Sequence, residues 1–326
     1  MLRFLIRRLL GAALILLVIS AATFLLFFAV TPDPALLSCG KACTPETLTA
    51  IRHNLGVDSP VPVQYWHFLA GLVAGRDFGS GQHCPAPCLG YSFVNQQPVL
   101  QTLLNRLPAT LSVAFGAGAL VLTMGVGLGL IAALRRGKPI DKASMGIALV
   151  GASFQIYFFG IIARYLLVDQ LGWLPRPDYT SPTSNPLQWA GGMILPWVTL
   201  AVVNAATYAR FTRSTMLESL SEEYVRAVRA KGLSTKAVYL KHAFRGAMTP
   251  VLTMFGIDMG MFLGGALITE TTFNIPGIGR LAVDSVAAQD LPMMMGTVLV
   301  ASTAMVLASI AVDACYALID PRVRAS

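Results

Sequence analysis

Only 12% of this chain is charged, so ionisable residues inside apolar runs mark the places where chemistry could occur. Asp258 lies in the middle of one such run, and Asp313 lies near the end of another. A carboxylate at the centre of a bilayer costs a few kcal/mol unless water, a proton or a partner meets it. Asp258 is therefore either a group on a water-filled pathway or a carboxyl hydrogen-bonded within a helix interface. Asp313 can reach interfacial water or the basic C-terminal tail. Arg164 either lines a vestibule or snorkels toward water near Asp169.

Thiols form the second set. Cys39 and Cys43, then Cys84 and Cys88, stand in two pairs at spacing four within residues 31–100, a stretch rich in Pro, Gly, Asn and Gln. Four cysteines allow three pairings, which spacing does not separate. Structural disulfides are favoured over a zinc site using His83, because thiols outside the membrane oxidise readily. Cys315 falls in an apolar run and reads as a small buried residue. No metal site is expected. The chain has no HExxH, no GxSxG and no Ser/Lys or paired intramembrane Asp pattern, and His53, His67, His83 and His242 are scattered. Nothing supports a catalytic residue.

The elements that position these residues are membrane spans. Hydrophobic residues make up 55% of the chain and its mean hydropathy is +0.64, whereas globular proteins carry about 25% charge. The net charge of +8 says little about nucleic acid, because basic residues gather in the cytoplasmic loops of membrane proteins. No nucleic-acid, Walker or dinucleotide motif is present, and no nucleic-acid partner is expected. Six apolar runs follow in order: Leu9–Val30, Leu107–Leu134, Ala143–Val168, Leu187–Ala209, Ala247–Ile268 and Pro292–Leu318. Each is long enough for a hydrocarbon core of ~30 Å. Arg and Lys concentrate before the first run, between the second and third, and between the fourth and fifth. The positive-inside rule then places both termini in the cytoplasm and the Cys-bearing segment outside. The expected fold is an all-α polytopic membrane protein with six transmembrane helices. A first helix (1–30) precedes an extracytoplasmic segment (31–100) and a transmembrane core (101–326) with a basic loop at 210–249. Gly256, Gly260 and Gly264, and Gly125, Gly127 and Gly129, form small-residue stripes suited to close helix packing.

The basic loop carries its own pattern. Ser219 and Glu222 read as a capping box, Glu222 and Glu223 suit a positive first turn, and Glu222 and Arg226 stand four apart for a surface pair. Lys231 suits a negative C-terminal end and Gly232 supplies a left-handed stop. This predicts a helix of about a dozen residues, ~18 Å long. With only Tyr224, Val225, Val228 and alanines among the charges, it is either a solvated connector or a short helix that docks into another protein.

In order along the chain, these features resemble a family. The run Glu223-Tyr-Val-Arg-Ala-Val-Arg-Ala-Lys-Gly-Leu233, then His242 and Pro250, resembles the EAA loop of bacterial ABC importer permeases, in the first-encoded member of the dipeptide/oligopeptide subfamily. Met1-Leu-Arg-Phe-Leu-Ile-Arg-Arg-Leu9, Arg106-Leu-Pro-Ala-Thr-Leu111 and Gly172-Trp-Leu-Pro175 look like further landmarks of that family. So do Glu270-Thr-Thr-Phe-Asn-Ile-Pro-Gly-Ile-Gly-Arg280 and Asp313-Ala-Cys-Tyr-Ala-Leu-Ile-Asp-Pro-Arg322.

The resemblance implies a multi-pass subunit of the bacterial inner membrane that imports peptides or a similar small solute. It would work with a second homologous permease, two ATPase subunits holding ATP and Mg, an extracytoplasmic solute-binding protein and membrane lipid. The chain itself would bind no cofactor. Glu222, Glu223, Tyr224, Arg226, Ala227, Arg229, Ala230, Lys231 and Gly232 would form the coupling helix that meets an ATPase subunit. Ala227 and Gly232 fill the motif's first-Ala and Gly slots, while Arg226 stands in its Glu slot and Val228 in its second-Ala slot. Glu270, Phe273, Pro276, Gly277 and Arg280 would lie near the outer gate and binding protein. Gly79–Cys88 departs from the family, whose members carry a shorter Gly-rich stretch there. Two other readings compete: an ion-coupled transporter using Asp258 as its proton site, and a membrane scaffold with a disulfide-bonded cap.

Overall fold

The computed structural model describes residues 2–29, 33, 35–36, 44–56, 59–78 and 83–319. Cys39, Cys43 and the end of the closing motif, Asp320 to Arg322, lie outside the described residues, as do the side chains of Asp313 and Cys315. Among the described residues, five helices are long and apolar enough to cross a membrane, or six if one bent pair counts as a single span. The chain forms two compact units, described in turn.

The first unit holds α1 (Leu2–Phe24, continued by a widened turn Leu25–Ala29), α2 (Pro45–Leu55) and α3 (Val61–Ala74). Two short antiparallel pairs follow: β1 (Arg76–Asp77) with β2 (His83–Cys84), and β3 (Tyr91–Ser92) with β4 (Gln97–Pro98). The start of α4 (Val99–Val121) also belongs here. Val99 and Leu103 from α4 pack with Ile278, Leu281 and Met293 as one core. Phe24, Phe68, Met295 and Leu299 form a second. Cys84 and Cys88 are disulfide-bonded, with Cα atoms 5.6 Å apart, inside a small cluster with Phe78 and Tyr91. Asp290 is buried and ties this hairpin region to the last span. It accepts hydrogen bonds from Ser92 Oγ, from Asn95 Nδ2 at 3.4 Å and from Met293 N at 3.2 Å.

The second unit is built on α8 (Pro186–Ser221), a 36-residue helix about 54 Å long. Asn185 caps its start by accepting from Gln188 N at 3.1 Å, and Pro186 occupies the first turn, where no N–H is needed. The end of α4, its widened turn Leu122–Val126, α5 (Gly127–Leu134) and α6 (Pro139–Ser153) pack along α8. The expected close packing is seen at Gly125, Gly129 and Gly256 but not at Gly127, where an added Cβ would meet nothing within 4 Å. A Cβ at Gly125 would stand 2.4 Å from Tyr208 Cβ, and one at Gly129 would stand 2.6 Å from Ala209 O. In α11 (Phe244–Leu263), a Cβ at Gly256 would meet Val312 at 1.7 Å, while Gly264 lies beyond the helix end. α11 follows α10 (Thr235–Ala237) and a widened turn over Val238–Ala243.

The third apolar run, expected as one helix over 143–168, is broken. α6 ends at Ser153 and α7 (Ile156–Arg164) continues through a widened turn to Gln170 at an angle of 93°. Phe154 and Gln155 are extended, with ψ of 132° and 138°, and the Ser153 hydroxyl donates to Leu149 O. At the other end of α6, Asp141 accepts Arg213 Nε at 2.7 Å and Nη2 at 2.8 Å, and also accepts Gly137 N at 3.0 Å. This fork joins the start of α6 to α8, and Asp141 is only 5% exposed. Removing one member of such a pair strands the other in a poorly hydrated place. Arg213→Ala should lower stability, read as earlier thermal unfolding in lipid. Arg213→Lys should recover only part of that loss, because an ammonium cannot fork. Unfolding of Arg213→Ala together with the parent would show that the pair contributes nothing.

Candidate functional site

The loop after α8 lies in the second unit and forms α9 (Glu223–Ala230), eight residues and about 12 Å long. It is shorter than expected, and the capping box is not made. Ser219 is still inside α8, and its hydroxyl donates to Ala243 O at 2.8 Å instead of capping. Glu222 breaks the chain direction at ψ 144° and makes no side-chain cap bond. Because Glu222 precedes the helix, the expected surface pair with Arg226 does not form, and no ion pair joins the two among the described residues. The stop is as expected: Gly232 has φ +77°, where a side chain is strained.

One face of α9 is anchored. Val225 is fully buried with Met216 of α8 and Val238, Ala243 and Ala247 leading into α11; Val228 packs against the same cluster. The Tyr224 hydroxyl donates to His242 O at 3.3 Å and lies 3.3 Å from Ser219 Oγ. Gly246 makes room for this contact, since a Cβ there would stand 2.8 Å from the Tyr224 hydroxyl. The other face is exposed: Glu222, Glu223, Arg226, Ala227, Arg229, Ala230, Lys231 and Gly232. The result is a short polar helix held by an apolar foot between two long helices.

In the first unit, α12 (Leu267–Thr272) and α13 (Ile278–Ala288) meet around Glu270, which has no exposed surface. Glu270 accepts Thr110 Oγ1 at 2.9 Å, Arg280 N at 3.0 Å and the N–H of Gly279. Thr110 in turn accepts Ile278 N at 2.8 Å. The first three N–H groups of α13 are thus satisfied by a carboxylate and a hydroxyl brought from two other helices. A negative group at a helix N-terminus is also favoured by the helix dipole. A Cβ at Gly277 would lie 2.3 Å from the Glu270 carboxyl carbon, so only glycine fits there. Burial pushes the Glu270 carboxyl above the usual carboxylate range, while its N–H and hydroxyl donors pull the other way. Arg280 Nε lies 3.6 Å from Asp284. Phe273 belongs to the second unit, buried with its ring where a Cβ on Gly160 would touch it at 3.1 Å.

The remaining candidates stand apart from these two centres. Asp258 is half-buried and accepts the Tyr208 hydroxyl at 2.6 Å. Arg164 ends α7 and is exposed, with no pair to Asp169 among the described residues. His83 pairs with Asp77, and among the described residues no three His, Cys, Asp or Glu side chains converge as metal ligands. Sequence reasoning missed the roles of Thr110, Asp141, Tyr208 and Asp290. Only Thr110 carried a signal, as part of the Arg106–Leu111 run.

Glu270→Ala should leave buried N–H groups unpaired and cost about 1–3 kcal/mol, and Gly277→Ala should act in the same direction by displacing the carboxyl. Limited proteolysis between residues 263 and 291 should then be faster in both variants. Unchanged cutting would contradict the role given to Glu270.

Two family descriptions match the chain. Residues 1–114 match the N-terminal part of binding-protein-dependent transport system membrane components, and residues 125–325 match the binding-protein-dependent transport system inner membrane component. A probable peptide ABC transporter permease of Sinorhizobium fredii is 37% identical over 321 residues, covering 98% of this chain and 99% of that protein. A glutathione transport system permease protein of Escherichia coli O6:H1 is 37% identical over 324 residues, covering 99% of both. An inward-facing structure of the MetNI methionine ABC transporter shares the fold at TM-score 0.51 and 17% identity, over 68% of this chain and 97% of its own. The chain therefore belongs to the binding-protein-dependent inner membrane components, the permease subunits of ABC importers, and is a multi-pass inner-membrane protein.

Proposed function

We propose that this chain is one of two permease subunits of an ATP-driven importer of di- or oligopeptides. The names of its relatives, which include peptide and glutathione permeases, support that substrate class. A second permease completes the pathway, two ATPase subunits bind ATP and Mg on the cytoplasmic side, and a solute-binding protein delivers cargo outside. Both termini and α9 face the cytoplasm, as the distribution of Arg and Lys favours.

The observation that carries this reading is the seating of α9. Its exposed charged face suits a groove on an ATPase, and its buried Val225 shares one apolar cluster with Met216 of α8 and Ala247 of α11. A push on α9 is thereby delivered to both α8 and α11, and the Tyr224 tie keeps the helix from swivelling. ATP binding closes the ATPase pair and moves α9. The spans then reopen outward around the solute. Glu270 holds the α12–α13 hairpin in shape on the outer side, where the binding protein docks. The ion-coupled alternative gains no support, because Tyr208 already engages Asp258.

Gly232→Pro tests the coupling. Proline is fixed near φ −65° and cannot adopt the +77° of this stop. The variant should insert normally, yet lose peptide uptake and lose stimulation of ATP hydrolysis by the loaded binding protein in liposomes. Parental uptake by Gly232→Pro would remove the coupling role from α9.

A further inference from the structure

The helix α3 lies in the segment that sequence places outside the membrane, yet it contains no charged residue. Its fourteen residues are too few to cross a hydrocarbon core, which needs about 20. It packs nonetheless on the first apolar span, Ile6–Phe28. Tyr65 and Phe68 close on Phe24 with ring centroids 5.4 and 6.0 Å away. Phe24 is one turn inside Phe28, a depth of about 6 Å. The Tyr65 hydroxyl reaches deeper still, to 2.8 Å from Ser20 Oγ and 3.3 Å from Leu17 O. Leu17 is the middle residue of Ile6–Phe28, so this hydroxyl contacts the span near the midplane of a ~30 Å core.

Two further observations fit an apolar solvent. The start of α3 has few free donors: Pro60 and Pro62 have no N–H, and Val63 N and Gln64 N both bond Pro60 O, at 2.9 and 3.1 Å. Gln64 Nε2 is turned back onto Ser59 O at 2.7 Å. Unpaired N–H groups cost several kcal/mol each in hydrocarbon, whereas water would satisfy them. The side of α3 away from the span is apolar and open. Val63, Trp66, Ala70 and Val73 are exposed there, Trp66 by 67% and Val73 by 83%, with His67 as the polar side chain among them. On the neighbouring span, Leu25 and Leu26, level with Phe24, are likewise exposed, so the open surface of α3 continues the exposed apolar surface of a helix long and apolar enough to cross a membrane.

We propose that α3 is seated in one leaflet of the bilayer against the first span, and that phospholipid acyl chains cover its Val63–Trp66–Val73 face. The proposal requires only that Ile6–Phe28 crosses the membrane; the membrane topology proposed above makes the leaflet the outer one. Trp66 is the kind of side chain that settles at the headgroup boundary, with its ring in lipid and its N–H in water. The disulfide-bearing hairpins that follow α3 are thus tethered at the bilayer surface.

The test places p-benzoylphenylalanine at Trp66 or Val73, and as a control at exposed Glu46 of α2, in the assembled importer in native membranes. After irradiation, mass spectrometry of the permease should find phospholipid adducts at 66 and 73 and none at 46. Adducts only to a second permease subunit, or lipid adducts no more frequent than at 46, would overturn the proposal. A second measurement changes nothing on the open face beyond one ring. Phospholipid brominated on its acyl chains should quench tryptophan fluorescence in the parent, and Trp66→Phe should remove a clear share of the quenched signal. An unchanged quenched share in Trp66→Phe would also overturn it. Both readouts are independent of transport, so a failure of the importer assignment would not mimic either result.

Discussion

The second unit depends on how closely two helices can approach without a hydrophobic drive to bring them together. In lipid, apolar side chains gain little by leaving their solvent, so association rests on dispersion contacts and small residues. Gly125 and Gly129 let the Leu122–Leu134 region lie on Ala205, Ala209 and Thr212 of α8, with no space for even one added methyl group. Because α8 is held along its length, it runs unbroken from Pro186 to Ser221 and carries Met216 to the cluster that receives Val225. The seating of α9 is a consequence of that packing.

The buried and half-buried carboxylates among the described residues follow a matching rule: those at Asp141, Asp258, Glu270 and Asp290 are each met by a specific partner. Asp141 is forked by Arg213, Asp290 collects Ser92, Asn95 and Met293 N, and Asp258 takes Tyr208. Glu270 with Thr110 goes further, since together they close the start of α13. In a low-dielectric setting an unmatched group of this kind costs more than a matched one contributes. These contacts therefore act chiefly to exclude other arrangements. The Pro276-Gly-Ile-Gly-Arg280 run gains a physical reading in this way. Its glycines are small because a carboxylate and a neighbouring backbone occupy the space where their side chains would be.

Much of this was legible in the sequence. Hydropathy placed five of the six apolar runs on long helices, although α8 runs on to Ser221 past the expected end at Ala209, and the left-handed stop at Gly232 followed from a glycine after a basic helix end. What failed did so for identifiable reasons. The Ser219 hydroxyl donates to a tertiary carbonyl, Ala243 O, from within α8, instead of accepting a backbone N–H as a local cap would. The break at Phe154 and Gln155 carries no proline or glycine to mark it. Thr110 and Glu270 are 160 positions apart, and no local pattern joins residues at that distance. The lack of charge in α3 is visible in the sequence, but its packing on the first span is not, because no local pattern joins Tyr65 to Ser20.

The central claim is that the exposed face of α9 is the surface an ATPase subunit grips. The most direct measurement is hydrogen exchange across residues 222–232 in the purified permease pair, with and without its ATPase subunits. The account predicts strong slowing of exchange in this segment when the ATPases bind, with exchange in the Glu270–Arg280 hairpin left as it was in the absence of nucleotide. Unchanged exchange over 222–232, with the ATPases bound stably elsewhere, would contradict it.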